Sequence, residues 1–189
     1  MTAINKNTVV SAALLLCIAL IVLRLIPPSV DPVLKLVLYK NTSNITRLDQ
    51  ARTISEIKTI YIDRLELNQN NAFSHPKLGL LAWGENFFAD ITTEFTVKNA
   101  GNYRFVVGSD DGFALSLDNN KLCSFDRDRP FNRQTCYATL SEGKHTLQLT
   151  YFQGFGNAGL TWQYGPADNS KLKFWGQEQA GIRFLPVEP

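Results

Sequence analysis

Several absences narrow the chemistry open to this chain. His75 and His145 are its only histidines, no His-Glu-x-x-His pattern occurs, and a single separated cysteine pair beside them offers no recognisable zinc ligand set. The serine in Gly108-Ser109-Asp110-Asp111-Gly112 lacks the Gly-x-Ser-x-Gly spacing of a nucleophile elbow. A surplus of positive charge is missing as well. Nineteen basic residues stand against seventeen acidic ones, and from Asp31 onward the two are equal at seventeen each. Without a concentrated Lys/Arg surface to displace counterions from phosphates, nucleic-acid binding is set aside. No internal repeat or low-complexity tail is present. The length of 189 residues leaves room for a short targeting segment and one domain with a real core.

What is present begins with a hydrophobic run at residues 9–26, whose one strongly polar member, Arg24, lies close enough to an end to snorkel. Such a run is long enough to span a bilayer. A cleaved signal peptide is the rival reading. The length of the run and the Leu25-Ile26-Pro27-Pro28 that closes it, with no small-x-small cleavage pattern, favour an uncleaved anchor. The expected layout is a tail at 1–7, a transmembrane anchor at 8–26 and a Pro-rich exit at 27–34, where Pro27, Pro28 and Pro32 stop the helix. Charge does not orient it, because Lys6 on one side faces Arg24, Lys35 and Lys40 on the other.

The rest reads as β-structure. After a short apolar candidate, Leu36-Val37-Leu38-Tyr39, alternation marks half-buried strands at Ile60 and Ile62, Phe95 and Val97, and Tyr103, Phe105 and Val107. It recurs at Phe113, Leu115 and Leu117, at Leu147, Leu149 and Tyr151, and at Leu160, Trp162 and Tyr164. Turn-forming clusters separate these runs, among them Asn99-Ala100-Gly101-Asn102 and Asp118-Asn119-Asn120. The spacing predicts an all-β antiparallel sandwich or barrel. Its expected extent is 35–176, with a C-terminal tail at 177–189 and one further helix at 48–57. Cys17 falls in the anchor as a small packing residue, whereas Cys123 and Cys136 bracket a polar stretch, 124–135, that reads as one surface loop. If bridged, they would stabilise the fold by about 3 kcal/mol and require an oxidising compartment. Two unrelated thiols are the alternative. Asn41-Thr42-Ser43 and Asn44-Ile45-Thr46 match the N-glycosylation pattern.

Ser109-Asp110-Asp111-Gly112 is the most informative tetrapeptide, because adjacent carboxylates at a tight turn repel unless something neutralises them. Calcium, which takes six to eight oxygens from carboxylates, amides and carbonyls, would do so; a solvated Asp-Gly hairpin is the bland alternative. Aromatic candidates for stacking on a ligand are Phe155, Phe152 and Phe131, and the charged stretch at 125–133, which includes Arg129, is either a recognition surface or a solvated loop.

Taken together, Gly101-Asn102-Tyr103-Arg104-Phe105, then Ser109-Asp110-Asp111-Gly112 with Leu115-Ser116-Leu117-Asp118, then Leu140-Ser141-Glu142-Gly143-Lys144-His145 and Leu160-Thr161-Trp162 resemble the PA14 domain. Trp83-Gly84, upstream of Phe95, fits the same pattern, so the resemblance covers about 36–175. It implies a β-sandwich of the kind found in toxins, glycosidases, adhesins and yeast flocculins, held outside the cytoplasm. For this chain that means a single-pass plasma (inner) membrane protein, amino terminus cytoplasmic and domain periplasmic or extracellular. In the sugar-binding branch a cis-linked aspartate pair and a later asparagine hold calcium, which coordinates sugar hydroxyls. Asp110 and Asp111 match the pair and Asn157 the asparagine, so the resemblance implies Ca2+ as cofactor and a glycan or envelope polysaccharide as partner, with Phe155 and Arg129 as further ligand contacts. The competing expectation is a protein-interaction or spacer domain docking on another envelope protein, with no metal or sugar. Two carboxylates would suffice for glycoside hydrolysis, but a domain this small is expected to be a binder and not an enzyme.

Overall fold

The computed structural model describes residues 5–25, 29–168, 171–179 and 181–187. Pro27 and Pro28 of the exit segment and the first four residues of the expected tail lie outside that set.

One helix, α1 (Lys6–Leu25), precedes the domain and carries the hydrophobic run. Its apolar side chains from Val9 to Val22 are largely exposed and take no part in the domain core. Among the described residues no helix is long and apolar enough to cross a membrane. Downstream come β1 (Leu34–Asn41), β2 (Ile54–Ile62), β3 (Glu66–Leu67), β4 (Ser74–His75), β5 (Gly79–Leu80), β6 (Phe87–Val97) and β7 (Gly101–Asp110). They are followed by β8 (Phe113–Leu117), β9 (Asn120–Phe125), β10 (Asn132–Leu140), β11 (Gly143–Gln153), β12 (Gly159–Pro166), β13 (Lys173–Phe174) and β14 (Ile182–Phe184).

The strands form two antiparallel sheets, one ordered β2-β1-β6-β11-β8-β9 with β14 also on β6, the other β10-β7-β12-β13 with β3 also on β12. This is an all-β sandwich, and the period-2 pattern explains which face closes it. The alternating residues Phe105 and Val107 on β7, Phe113 and Leu115 on β8, Leu147 and Leu149 on β11, and Leu160, Trp162 and Tyr164 on β12 are all buried in one core. Trp162 and Trp175 stack with ring centres 4.4 Å apart, while Phe95, Tyr164 and Phe184 meet Trp175 edge-on. The Trp175 indole N–H reaches Thr93 Oγ1, 3.3 Å away, so this large ring is buried without orphaning its polar atom.

Three expectations change. Residues 48–57 form no helix: 50–53 are loop and Ile54 onward is β2. Pairing along β1 satisfies the backbone there, and Arg52 turns to Asp90 and covers the Phe88 ring, a side-chain arrangement that helical propensity does not encode. The polar stretch 124–135 is half strand, because its ends extend β9 and β10 and leave 126–131 as the connection between them. The expected tail after 176 returns to the sheet. Beside β6, β1 pairs residues 87–92, and β14 takes up the continuation of that edge at Phe95, Thr96 and Val97, burying Ile182.

Cys123 and Cys136 form a disulfide with Cα atoms 6.2 Å apart. Since β9 edges one sheet and β10 the other, the bond ties the two layers together along one side of the sandwich.

Candidate functional site

At one end of the sandwich the strands lose their half-buried character. The last residues of β7, from Val107 to Asp110, and of β11, from Tyr151 to Gln153, are buried on both faces, because loops fold over them. That is where the aspartate pair lies. The peptide joining Asp110 to Asp111 is cis. Both residues are nearly buried, at 8% and 4% exposure.

Their partners are main-chain N–H groups from two loops. Asp110 Oδ2 accepts from Phe131 N at 3.1 Å, Asp111 Oδ1 from Arg129 N at 3.1 Å, and Asp111 Oδ2 from Gly154 N at 2.7 Å. Glycine is required at 154: a Cβ there would collide with the Ile45 carbonyl and press on Asp111 Oδ2. Gly112 is similarly confined, a Cβ there lying 2.5 Å from the Phe125 carbonyl oxygen and from Phe152.

Burial first, and then the Asp111 charge, push the Asp110 carboxyl up to about 6; burial likewise raises Asp111. The N–H contacts oppose these shifts without cancelling them. The site therefore holds two carboxylates that gain from any further neutralisation.

An open cleft of about 470 Å³ lies over the pair, lined also by Ile45, Thr46, Asp128, Arg129, Pro130, Gly154, Phe155 and Asn157. All five sequence-derived ligand candidates, Asp110, Asp111, Asn157, Phe155 and Arg129, thus come to one place. Of the three candidate platforms only Phe155 borders the cleft, 84% exposed; Phe152 is buried against Phe88, and Phe131 covers Gly108. Arg129 serves the site mainly through its backbone. Its guanidinium donates to Ser109 Oγ at 2.8 Å and lies 4.3 Å from the centre of the Phe125 ring.

Sequence reasoning missed Ile45 and Thr46, which reach the cleft from the β1–β2 connection, and did not single out Asp128. The only signal at 44–46 was an N-glycosylation pattern. Of the two such patterns, Asn41 is buried and its side chain is occupied by Ser43 and the Thr53 N–H, whereas Asn44 is exposed.

Among the described residues no group of three or more His, Cys, Asp or Glu side chains could hold a metal ion. A hard cation here would rest on the two carboxylates and on neutral oxygens, a donor set suited to calcium and poor for zinc.

The PA14 domain model matches residues 57–172. Among solved structures, a PA14 sugar-binding domain from an RTX adhesin aligns with a TM-score of 0.60 and 18% identity, over 77% of this chain and 96% of that one. The PA14 domain of the MpAFP antifreeze protein aligns at 0.64 and 16%, over 86% and 95%. The Epithelial Adhesin 9 A domain from Candida glabrata, in complex with Galb1-3GlcNAc, aligns at 0.54 and 11%, over 74% and 84%. No curated protein sequence matches the chain.

Proposed function

The chain belongs to the PA14 domain family, and from that premise we propose that it is a membrane-tethered, extracytoplasmic carbohydrate-binding module that recognises glycans through calcium, and is not an enzyme. The observation that carries the reading is the convergence of Asp110, Asp111 and Asn157 on one open cleft with the exposed Phe155 at its rim. Two of the structural neighbours are a domain named for sugar binding and an adhesin domain holding a disaccharide, which supports the same ligand class.

The residues fit the cation. Two nearly buried carboxylates are raised above their ordinary range and accept their hydrogen bonds from main-chain N–H groups. Asp110 and Asp111 would supply the charge and the Asn157 side chain a neutral oxygen. Bound calcium would offer open positions to vicinal sugar hydroxyls. Phe155 gives a flat apolar face for the C–H side of a pyranose, and Thr46 and Asp128, which line the same cleft, offer hydrogen-bond partners.

The proposed tether is α1, whose exposed apolar side chains have no cover from the domain. The disulfide supports placing the domain in an oxidising compartment, with the amino terminus in the cytoplasm.

Calorimetric titration of calcium into the full chain in detergent, stripped of metal, tests the reading. Saturable binding that disappears in Asp110→Asn/Asp111→Asn, with glycan-array binding abolished by chelator, is the expected result. No heat at millimolar calcium, or glycan binding indifferent to chelator, would sink it and leave protein docking as the role of the domain.

A further inference from the structure

Two buried side chains that do not line the cleft nevertheless touch both halves of it. Tyr151 and Gln153 are each 0% exposed and point the same way from the end of β11. The Tyr151 hydroxyl donates to the main-chain carbonyl of Asp110 and lies 2.8 Å from Gln153 Oε1. Gln153 Nε2 donates to the main-chain carbonyl of Asn157 at 2.7 Å. A carbonyl can only accept, so the Asn157 oxygen fixes which end of the amide faces it. A continuous chain of contacts therefore runs from the aspartate pair, through Tyr151 and Gln153, to the loop bearing Phe155 and Asn157.

Packing alone does not call for these polar groups. The Tyr151 ring is already well housed, 5.4 Å from Phe73 and 5.9 Å from Phe87. A buried amide costs stability unless both of its ends are satisfied, and an apolar side chain of similar shape would fill the space without that risk. What the amide adds is a fixed distance. With its carbonyl turned inward to Gln153, Asn157 is left with its exposed side-chain amide as the group to present at the cleft. Next to it, the Gly154 N–H is held by Asp111 Oδ2, so the loop is tied at both ends to the aspartates, once directly and once through Gln153.

We propose that Gln153, seated on Tyr151, is the positioning residue of the cleft: it holds the 154–157 loop at a set distance from Asp110 and Asp111, so that Asn157 and the carboxylates meet one ligand with Phe155 beside it. The part of this that concerns calcium rests on the cation reading given above; the part that concerns the loop does not.

The test uses the full chain in detergent and two variants that keep shape while removing the contacts, Gln153→Met and Tyr151→Phe. In chelator, amide exchange at 154–158 is expected to quicken about tenfold or more in Gln153→Met, while amides in the middle of β6 and β7 keep their protection and so report an intact fold. Calcium affinity is expected to weaken about tenfold in both variants. A purely structural role would lower the melting temperature and quicken exchange throughout, leaving the calcium Kd of the folded fraction in place. Unchanged loop exchange in Gln153→Met overturns the proposal whether or not the protein takes up calcium. Wild-type protein that shows no calcium heat defeats the cation reading separately, and quickened loop exchange would then still support the positioning role.

Discussion

At the scale of single residues, the informative facts are environments. The tetrapeptide at 109–112 announces two carboxylates at a turn, and the structure adds that both are buried, which decides their chemistry. With the Asp110 carboxyl raised from 3.8 to about 6, first by burial and then by Asp111, the folded state binds more protons than the unfolded state between roughly pH 4 and 6. Stability from this group is thus fully present below that window and is lost as pH rises through about 6. In chelator, Asp110→Asn is expected to melt above wild type at pH 7, the gap closing as pH falls to 4. Thermal unfolding of the pair across pH 4–7 checks this, and a gap that does not vary with pH would refute it. Calcium at pH 7 is expected to reverse the order, because it stabilises only the charged form. His145 adds a pH dependence of the same sign from its own position, because it too is raised on folding. Burial pulls it down, but hydrogen bonding to Asp118 at 2.7 Å and to the Ser141 carbonyl outweighs that and raises it. Comparing wild type with the variant cancels this contribution.

At the scale of elements, alternation gave away the strands of the core, and local propensity misled where pairing partners lay far along the chain. Leu147, Leu149 and Tyr151 show their inward face in any reading of the sequence; that Ile182 joins β6 is visible only once the pairing of β1 with β6 is seen to stop at Thr92. The connection at 126–131 has the clearest consequence. It lies between the two disulfide-bonded strands and supplies the Arg129 and Phe131 N–H groups that hold the aspartates. Removing the bond in Cys123→Ser/Cys136→Ser is expected to cost about 3 kcal/mol of stability. It should also weaken calcium binding, because the loop loses its anchor. Urea unfolding beside calcium titration measures both effects. An unchanged midpoint would show that the bond does not hold the sheets together in solution.

At the scale of the whole molecule, the direction of β1 matters most. The strand starts at Leu34, nine positions beyond the end of α1, and its eight residues carry the chain about 26 Å to Asn41, from which it passes directly into Ile45 and Thr46 at the cleft. On the proposed reading, with α1 as the tether, the cleft is expected at the pole of the domain away from the bilayer. In vesicles, on a Cys17→Ser background, a headgroup-attached quencher is expected to reach a label at Glu142→Cys, in the β10–β11 turn of the opposite pole, far better than one at Phe155→Cys. Equal quenching at both would reject that orientation.

The sequence by itself determined the strand faces, the aspartate turn and the family, because period-2 burial and turn chemistry are local and leave their mark on consecutive residues. It also named Asp110, Asp111, Asn157, Phe155 and Arg129, through the order of short motifs and the loops that carry them. Only the tertiary structure decided that these meet in one cleft, that Phe152 is core and Phe155 surface, and that Ile45, Thr46 and Asp128 complete the rim. It alone revealed the route through Tyr151 and Gln153. The physical reason is that burial, carboxyl basicity and the spacing between loops arise from contacts between residues some twenty to a hundred positions apart, which no local pattern in the chain records.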